Sequence, residues 1–117
     1  MWQMCCRRLL ICSLCATLVF MRIEKTEEYR IWLDGLKDLA GRARVLMRVD
    51  RLIHGNPGNH RNLAEGVSEL KIDVGPGYRV YYARRGERLL LLIAGGDKSS
   101  QAKDVARAME LNRIYLE

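Results

Sequence analysis

Cysteine is missing from the greater part of the chain. All four cysteines (Cys5, Cys6, Cys12 and Cys15) fall in the first fifteen residues, so whatever folds downstream does so without disulfides. The Cys12-x-x-Cys15 pair has no second ligand pair at finger-like spacing, and the two histidines, His54 and His60, lie far along the sequence; no metal site is expected. The same scarcity leaves no Cys-His or Ser-His-Asp arrangement, which excludes conventional nucleophilic catalysis. Apolar runs are short as well. Leu9 to Phe20 follows Arg7 and Arg8 in the order of a secretory signal, but a span needs about 20 apolar residues. Arg22, Glu24 and Lys25 come immediately after it, and no small-x-small cleavage site is close. Neither membrane anchoring nor export is expected. Residues 1–20 read as an apolar extension that need not belong to the native protein, with the folding pattern starting after Met21. Gly75-Pro76-Gly77 and Gly95-Gly96 are too short for a Walker or dinucleotide loop and read as turns, so no nucleotide cofactor is expected.

What is present is enough for one domain. The chain has 117 residues, 49% apolar and 29% charged, a balance that supports a packed core. The formal charge is +6, and removing Arg7 and Arg8 with the extension leaves 18 basic against 14 acidic residues. A basic domain of this size favours an anionic partner, either nucleic acid or an acidic protein.

Periodicity then gives the elements. Residues 22–25 suit a short strand, and Thr26 followed by Glu27 and Glu28 is a helix start. Tyr29, Trp32, Leu33, Leu36 and Leu39 recur at helical spacing, and after an interruption at Gly41 a second helix runs through Val45, Leu46, Val49, Leu52 and Ile53 to a stop at Gly55 and Pro57. The two make a helical hairpin. Asn56 to Asn62 reads as a surface loop. Strands are predicted over 67–74, with Leu70, Ile72 and Val74 inward, over 78–84, and over 88–94, the last apolar on both faces as in the middle of a sheet. Ser99 or Ser100 caps a final helix carrying Val105, Met109, Leu111 and Ile114. The fold class is α+β in the order β-α-α-β-β-β-α: a strand and helical hairpin, then an antiparallel sheet and a C-terminal helix.

Alternation places Lys71 and Arg79 on one face of adjoining strands, with Lys98 following the next strand. Three cations converging there would hold an RNA phosphate and stabilise the negative charge that develops when a 2′-hydroxyl attacks it. Tyr81 shares the parity of Arg79 and would stack an unpaired base. The same spacing equally allows Lys71 and Arg79 to pair across strands with Glu69 or Asp73. Arg48 and Arg51 on the second helix, with Arg84 and Arg85 at the strand end, are further candidates for RNA contact; solvated arginines are the alternative for the helix pair.

The stretch Val67-Ser-Glu-Leu-Lys-Ile-Asp-Val-Gly-Pro-Gly-Tyr-Arg-Val-Tyr-Tyr82 and the later Gly95-Gly-Asp-Lys-Ser-Ser-Gln101 resemble the HigB-like toxins (addiction module killer proteins) of the RelE/ParE superfamily. Trp32-Leu-Asp-Gly-Leu36, Asp50-Arg-Leu and Gly55-Asn-Pro-Gly58 fit as well, so the resemblance covers everything after Met21. It implies a cytoplasmic toxin of a type II toxin–antitoxin system, neutralised by a cognate antitoxin. It also implies an endoribonuclease that cleaves mRNA in the ribosome, with Lys71, Arg79 and Lys98 at the family's basic catalytic positions. One departure is the final helix, where some members carry a functional tyrosine and this chain has Asp104. ParE-like relatives share the fold but poison DNA gyrase, and a degenerate toxin that serves only as an antitoxin-binding partner is a third reading.

Overall fold

In the computed structural model the described residues are 22–86 and 88–116. The apolar stretch 1–20, set apart above as an extension, lies outside them. The expected α+β order is present, with one added strand.

Strand β1 (Arg22–Lys25) leads directly into helix α1 (Glu27–Asp34) through Thr26, whose side chain does two jobs at once. Its Oγ1 accepts from the Tyr29 N–H at 3.0 Å, capping the helix, and donates to the Ile93 carbonyl. The helix is thereby fastened to the sheet at its first turn. It also ends earlier than the periodicity predicts. Gly35 closes α1, and Asp38 caps helix α2 (Leu39–Ile53) by accepting from the Gly41 N–H at 3.1 Å. Leu39, expected on the apolar face of the first helix, starts the second and is 75% exposed. Gly41 is therefore no break. It lies in the first turn of α2, where a Cβ would sit 2.5 Å from the Tyr78 ring, while the Tyr78 hydroxyl donates to Asp38 at 2.9 Å.

Five strands form one sheet in the order β1-β5-β4-β3-β2. Strand β2 (His60–Asn62) falls in the stretch read as loop. Its three residues are polar and exposed, so no hydrophobic period marks it, and pairing with β3 (Val67–Ile72) is what makes it a strand. Strands β4 (Tyr78–Arg85) and β5 (Leu89–Asp97) continue the antiparallel ladder, whereas β1 joins β5 in parallel. The middle position falls to β4, and β5, flanked by β1 and β4, is internal, which accounts for its apolar run on both faces. Leu70, Ile72, Tyr78, Val80, Tyr82, Leu90 and Leu92 face α1 and α2. Val67, Tyr81, Ala83, Leu91, Ile93 and Ala94 face the final helix. Ile93 and Ala94 share a face because a bulge pairs Tyr81 with Ala94 but Tyr82 with Leu92.

Gly95 and Gly96 are strand residues of β5, not a turn. A side chain at Gly95 would collide with the Trp32 ring, and one at Gly96 with the Asp104 carboxylate, so both positions are small for close packing. A single 3-10 turn (Lys98–Ser100) follows, capped by Asp97, whose carboxylate accepts from the Ser99 N–H at 2.9 Å; Ser99 and Ser100, the expected caps of the final helix, lie within this turn. Helix α3 (Gln101–Leu116) then crosses the sheet with Ala108 and Leu111 buried, while Ile114, expected in the core, is 58% exposed. Arg107 of α3 ion-pairs with Glu28 of α1, linking the layers. Among the described residues no helix is long and apolar enough to cross a membrane.

Two outcomes follow from the Asp38–Gly41–Tyr78 corner. Gly41→Ala drives a methyl into the Tyr78 ring and is expected to cost about 1–3 kcal/mol, read as a lowered denaturation midpoint. Asp38 is held below its ordinary value of 3.8, first by the Gly41 N–H and then by the Tyr78 hydroxyl. Its stabilisation is present above that ordinary value and is lost as pH falls through the lower folded one. Melting wild type and Asp38→Asn across pH 2–7 should show a gap that closes at the acid end.

Candidate functional site

Cross-strand register builds the site. Glu69 stands opposite Tyr81, and Lys71 opposite Arg79, all with the parity that faces α3. Gly77, with φ of +81°, leads into β4; a Cβ there would lie 3.5 Å from Lys98 Cβ and 3.8 Å from Arg79 Nη1. The turn thus brings Lys98 beside Arg79, as the sequence reading expects, with Lys71 on the neighbouring strand. Lys98 is exposed and Lys71 half-buried.

Arg79 differs from that reading. Its side chain, expected to meet RNA, is only 9% exposed, and its Nε stands 3.9 Å from Oε2 of the fully buried Glu69. Of the two readings of the spacing, the cross-strand pairing of Arg79 with Glu69 is the one present in this geometry. Oε2 also accepts from the Tyr81 hydroxyl at 3.1 Å and from Gln101 Nε2 at 2.8 Å. On the other oxygen, Arg61 Nη2 of β2 lies 3.2 Å from Oε1, close enough to pair in charge but not aligned as a hydrogen bond. Arg79 Nε and Nη1 are buried and have no acceptor among the described residues. Such donors each cost about 1–3 kcal/mol when left unmade.

Tyr81 is not the exposed stacking platform expected of it. Its ring is 0% exposed, and burial, followed by the charge of Glu69, pushes its hydroxyl well above the usual phenol range, so it serves Glu69 as a donor. Asp104 closes one side of the site. It lies over Gly96, the register partner of Arg79, and accepts from the Ser100 hydroxyl at 2.5 Å. Tyr115 gives no substitute for a catalytic tyrosine there, since it belongs to the last turn of α3.

The other candidate arginines fall elsewhere. Arg48 donates to the carbonyls of Lys71 at 2.6 Å and of Pro57 and Asn59 at 3.0 Å each, so it staples the 57–59 loop to β3 and is not free for RNA. Arg85 bonds the Asn112 carbonyl at 3.1 Å and the Tyr115 carbonyl at 3.0 Å, capping the C-terminal end of α3. Arg84 and Arg51 are exposed, but strand parity and the position of α2 put them across the sheet from Arg79. Sequence reasoning offered Glu69 as a cross-strand partner of Arg79 but missed two contributors: Arg61, because β2 carries no periodic signal, and Gln101, because one polar residue at a helix start looks like solvent surface.

No family model matches the chain. An uncharacterized protein of Haemophilus influenzae is 41% identical over 88 residues, covering 75% of this chain and 89% of that protein. Among solved structures, Escherichia coli toxin RelE, as a double arginine-to-alanine variant in the free state, superposes with a TM-score of 0.62 at 12% identity. That match covers 80% of this chain and 97% of the RelE chain. The chain belongs to one family with the Haemophilus influenzae protein, and its fold is RelE-like.

Proposed function

We propose that this protein is the toxin of a type II toxin–antitoxin pair, of the HigB-like branch, and that it cleaves mRNA on the ribosome in the cytoplasm. The observation that carries the reading is Arg79, a buried guanidinium with two unpartnered donors, flanked by Lys71 and Lys98. A planar fork with two ammonium groups beside it suits a phosphodiester better than a neutral ligand. In RNA the 2′-hydroxyl gives up its proton as its oxygen attacks the adjacent phosphorus, and the P–O5′ bond breaks with O5′ taking up a proton from water, leaving a 2′,3′-cyclic phosphate and a 5′-hydroxyl. The five-coordinate intermediate carries extra negative charge on the oxygens that Arg79, Lys71 and Lys98 would hold, and a partly buried setting strengthens that attraction. Similarity of fold to a toxin named RelE supports the assignment. The cognate antitoxin would cover exposed apolar side chains of α1 and α2, among them Ile31, Leu39, Leu46 and Met47.

Induction of the full chain should produce new 5′ ends on abundant mRNA by primer extension, and Arg79→Ala should lower cleavage by about 100-fold to 1000-fold, the usual loss for one oxyanion donor. Arg48→Ala provides the contrast: it unties three carbonyls and should lower thermal stability by about 1–3 kcal/mol while cleavage per folded molecule persists. Growth arrest with intact mRNA, together with blocked DNA supercoiling by gyrase, would replace the nuclease reading by gyrase inhibition. Growth left intact on induction would indicate a degenerate toxin.

A further inference from the structure

Glu69 and Arg79 are buried together but do not close on each other. The 3.9 Å between Oε2 and Nε exceeds the roughly 2.7–2.9 Å of a charge-assisted hydrogen bond. The cause lies in the other contacts of the carboxylate. Tyr81 donates to Oε2 from the adjacent strand and Gln101 from the first residue of α3, at 3.1 and 2.8 Å, and Arg61 stands at 3.2 Å on the far oxygen. The two donors to Oε2 are fixed: the Tyr81 ring is fully buried and in register with Glu69, and Gln101 starts a helix. A carboxylate free to move would take Arg79 in a fork-to-fork pair and consume the donors that an incoming anion needs. A carboxylate moored at this distance supplies counter-charge to a buried cation without occupying those donors.

We infer that Glu69, held off by Tyr81 and Gln101, is a positioning residue that keeps the buried Arg79 out of a bidentate pair, so that Nε and Nη1, without acceptors among the described residues, are left to the phosphodiester of RNA when the side chain shifts toward it, an inference that rests on the phosphate-site reading above. It gives the buried Tyr81 a purpose other than base stacking. It also makes the tethers, and not only the cations, determinants of affinity.

The test follows the Arg79 Nε–H resonance of the full-length protein, assigned by its loss in Arg79→Lys, during titration with a 2′-deoxy dinucleoside monophosphate that cannot be cleaved by 2′-hydroxyl attack. In Tyr81→Phe the ring packing remains but one tether is gone. The resonance should move downfield as Glu69 closes on Nε, and dinucleotide affinity should fall about tenfold, the size expected for a contested charged hydrogen bond. Gln101→Met removes the other tether at the half-buried helix start and should act in the same direction, which keeps the test decisive if the phenol change disturbs the sheet. In a Glu69→Gln background neither substitution should lower affinity further, because no carboxylate remains to close. Unchanged resonance and affinity in both tether variants overturn the inference, as does an equal loss of affinity with and without Glu69. A wild-type Nε resonance that ignores the dinucleotide instead overturns the phosphate reading itself, and it is distinguishable because it is seen before any tether is cut.

Discussion

Placing a carboxylate and a guanidinium inside the same strand pair constrains everything around them. Each charge loses its water on burial, and mutual attraction compensates only when the remaining lone pairs and protons find partners. Glu69 is satisfied at Oε2 from two elements, β4 and α3, which fixes how the last helix can sit on the sheet. Arg79 is not satisfied, and the imbalance is local to one end of the sheet. A pair optimised for stability alone would close into a bidentate bridge. The open geometry costs stability and is tolerated because the rest of the α3 face, from Val67 through Ala108 and Leu111, is apolar and packed.

The two helical layers are coupled mainly through β5. On one side Thr26 anchors α1 to the Ile93 carbonyl and Trp32 lies on Gly95; on the other Asp104 lies over Gly96. Adjacent glycines in one strand thus admit a side chain from each face at its closest approach. The Glu28–Arg107 ion pair joins the helices at the edge, but exposed pairs of this kind contribute about 0–1 kcal/mol, so the glycine contacts carry the coupling. Movement of α3 over Gly96 would carry Asp104 and Gln101 with it, and both border the Arg79 cluster.

Much of the fold was legible because hydrophobic period is a strong signal wherever one face is buried. Thr26 with Glu27 and Glu28 marked the start of α1, and the alternation of Leu70, Ile72 and Val74 marked the inward face of β3. Signals failed where position in space, not period, decides. Leu39 fits the spacing of the first helix, yet Asp38 caps a new one. Gly95-Gly96 has turn composition, but its small size serves packing within a strand. In the site, strand parity correctly grouped Lys71 and Arg79 on one face, but parity does not tell an outward face from one roofed by a later helix. For that reason Tyr81 read as an exposed aromatic and Arg79 as a surface cation.

The arginines make the same point about charge. A basic balance suggested an anionic partner, yet Arg48 and Arg85 spend their donors on backbone carbonyls, and Arg107 and Arg113 pair with Glu28 and Glu65. These residues raise the formal charge while serving as staples and caps, and sequence does not separate them from Arg79. Donor satisfaction does. Arg79 is buried in the pleat of the sheet with the Glu69 carboxylate 3.9 Å from its Nε, and its two buried donors lack acceptors among the described residues. A buried group in that condition has more to gain from an incoming phosphate than a solvated arginine, which must give up water for each bond it makes. The cation least visible from outside is therefore the one whose donors remain unmet.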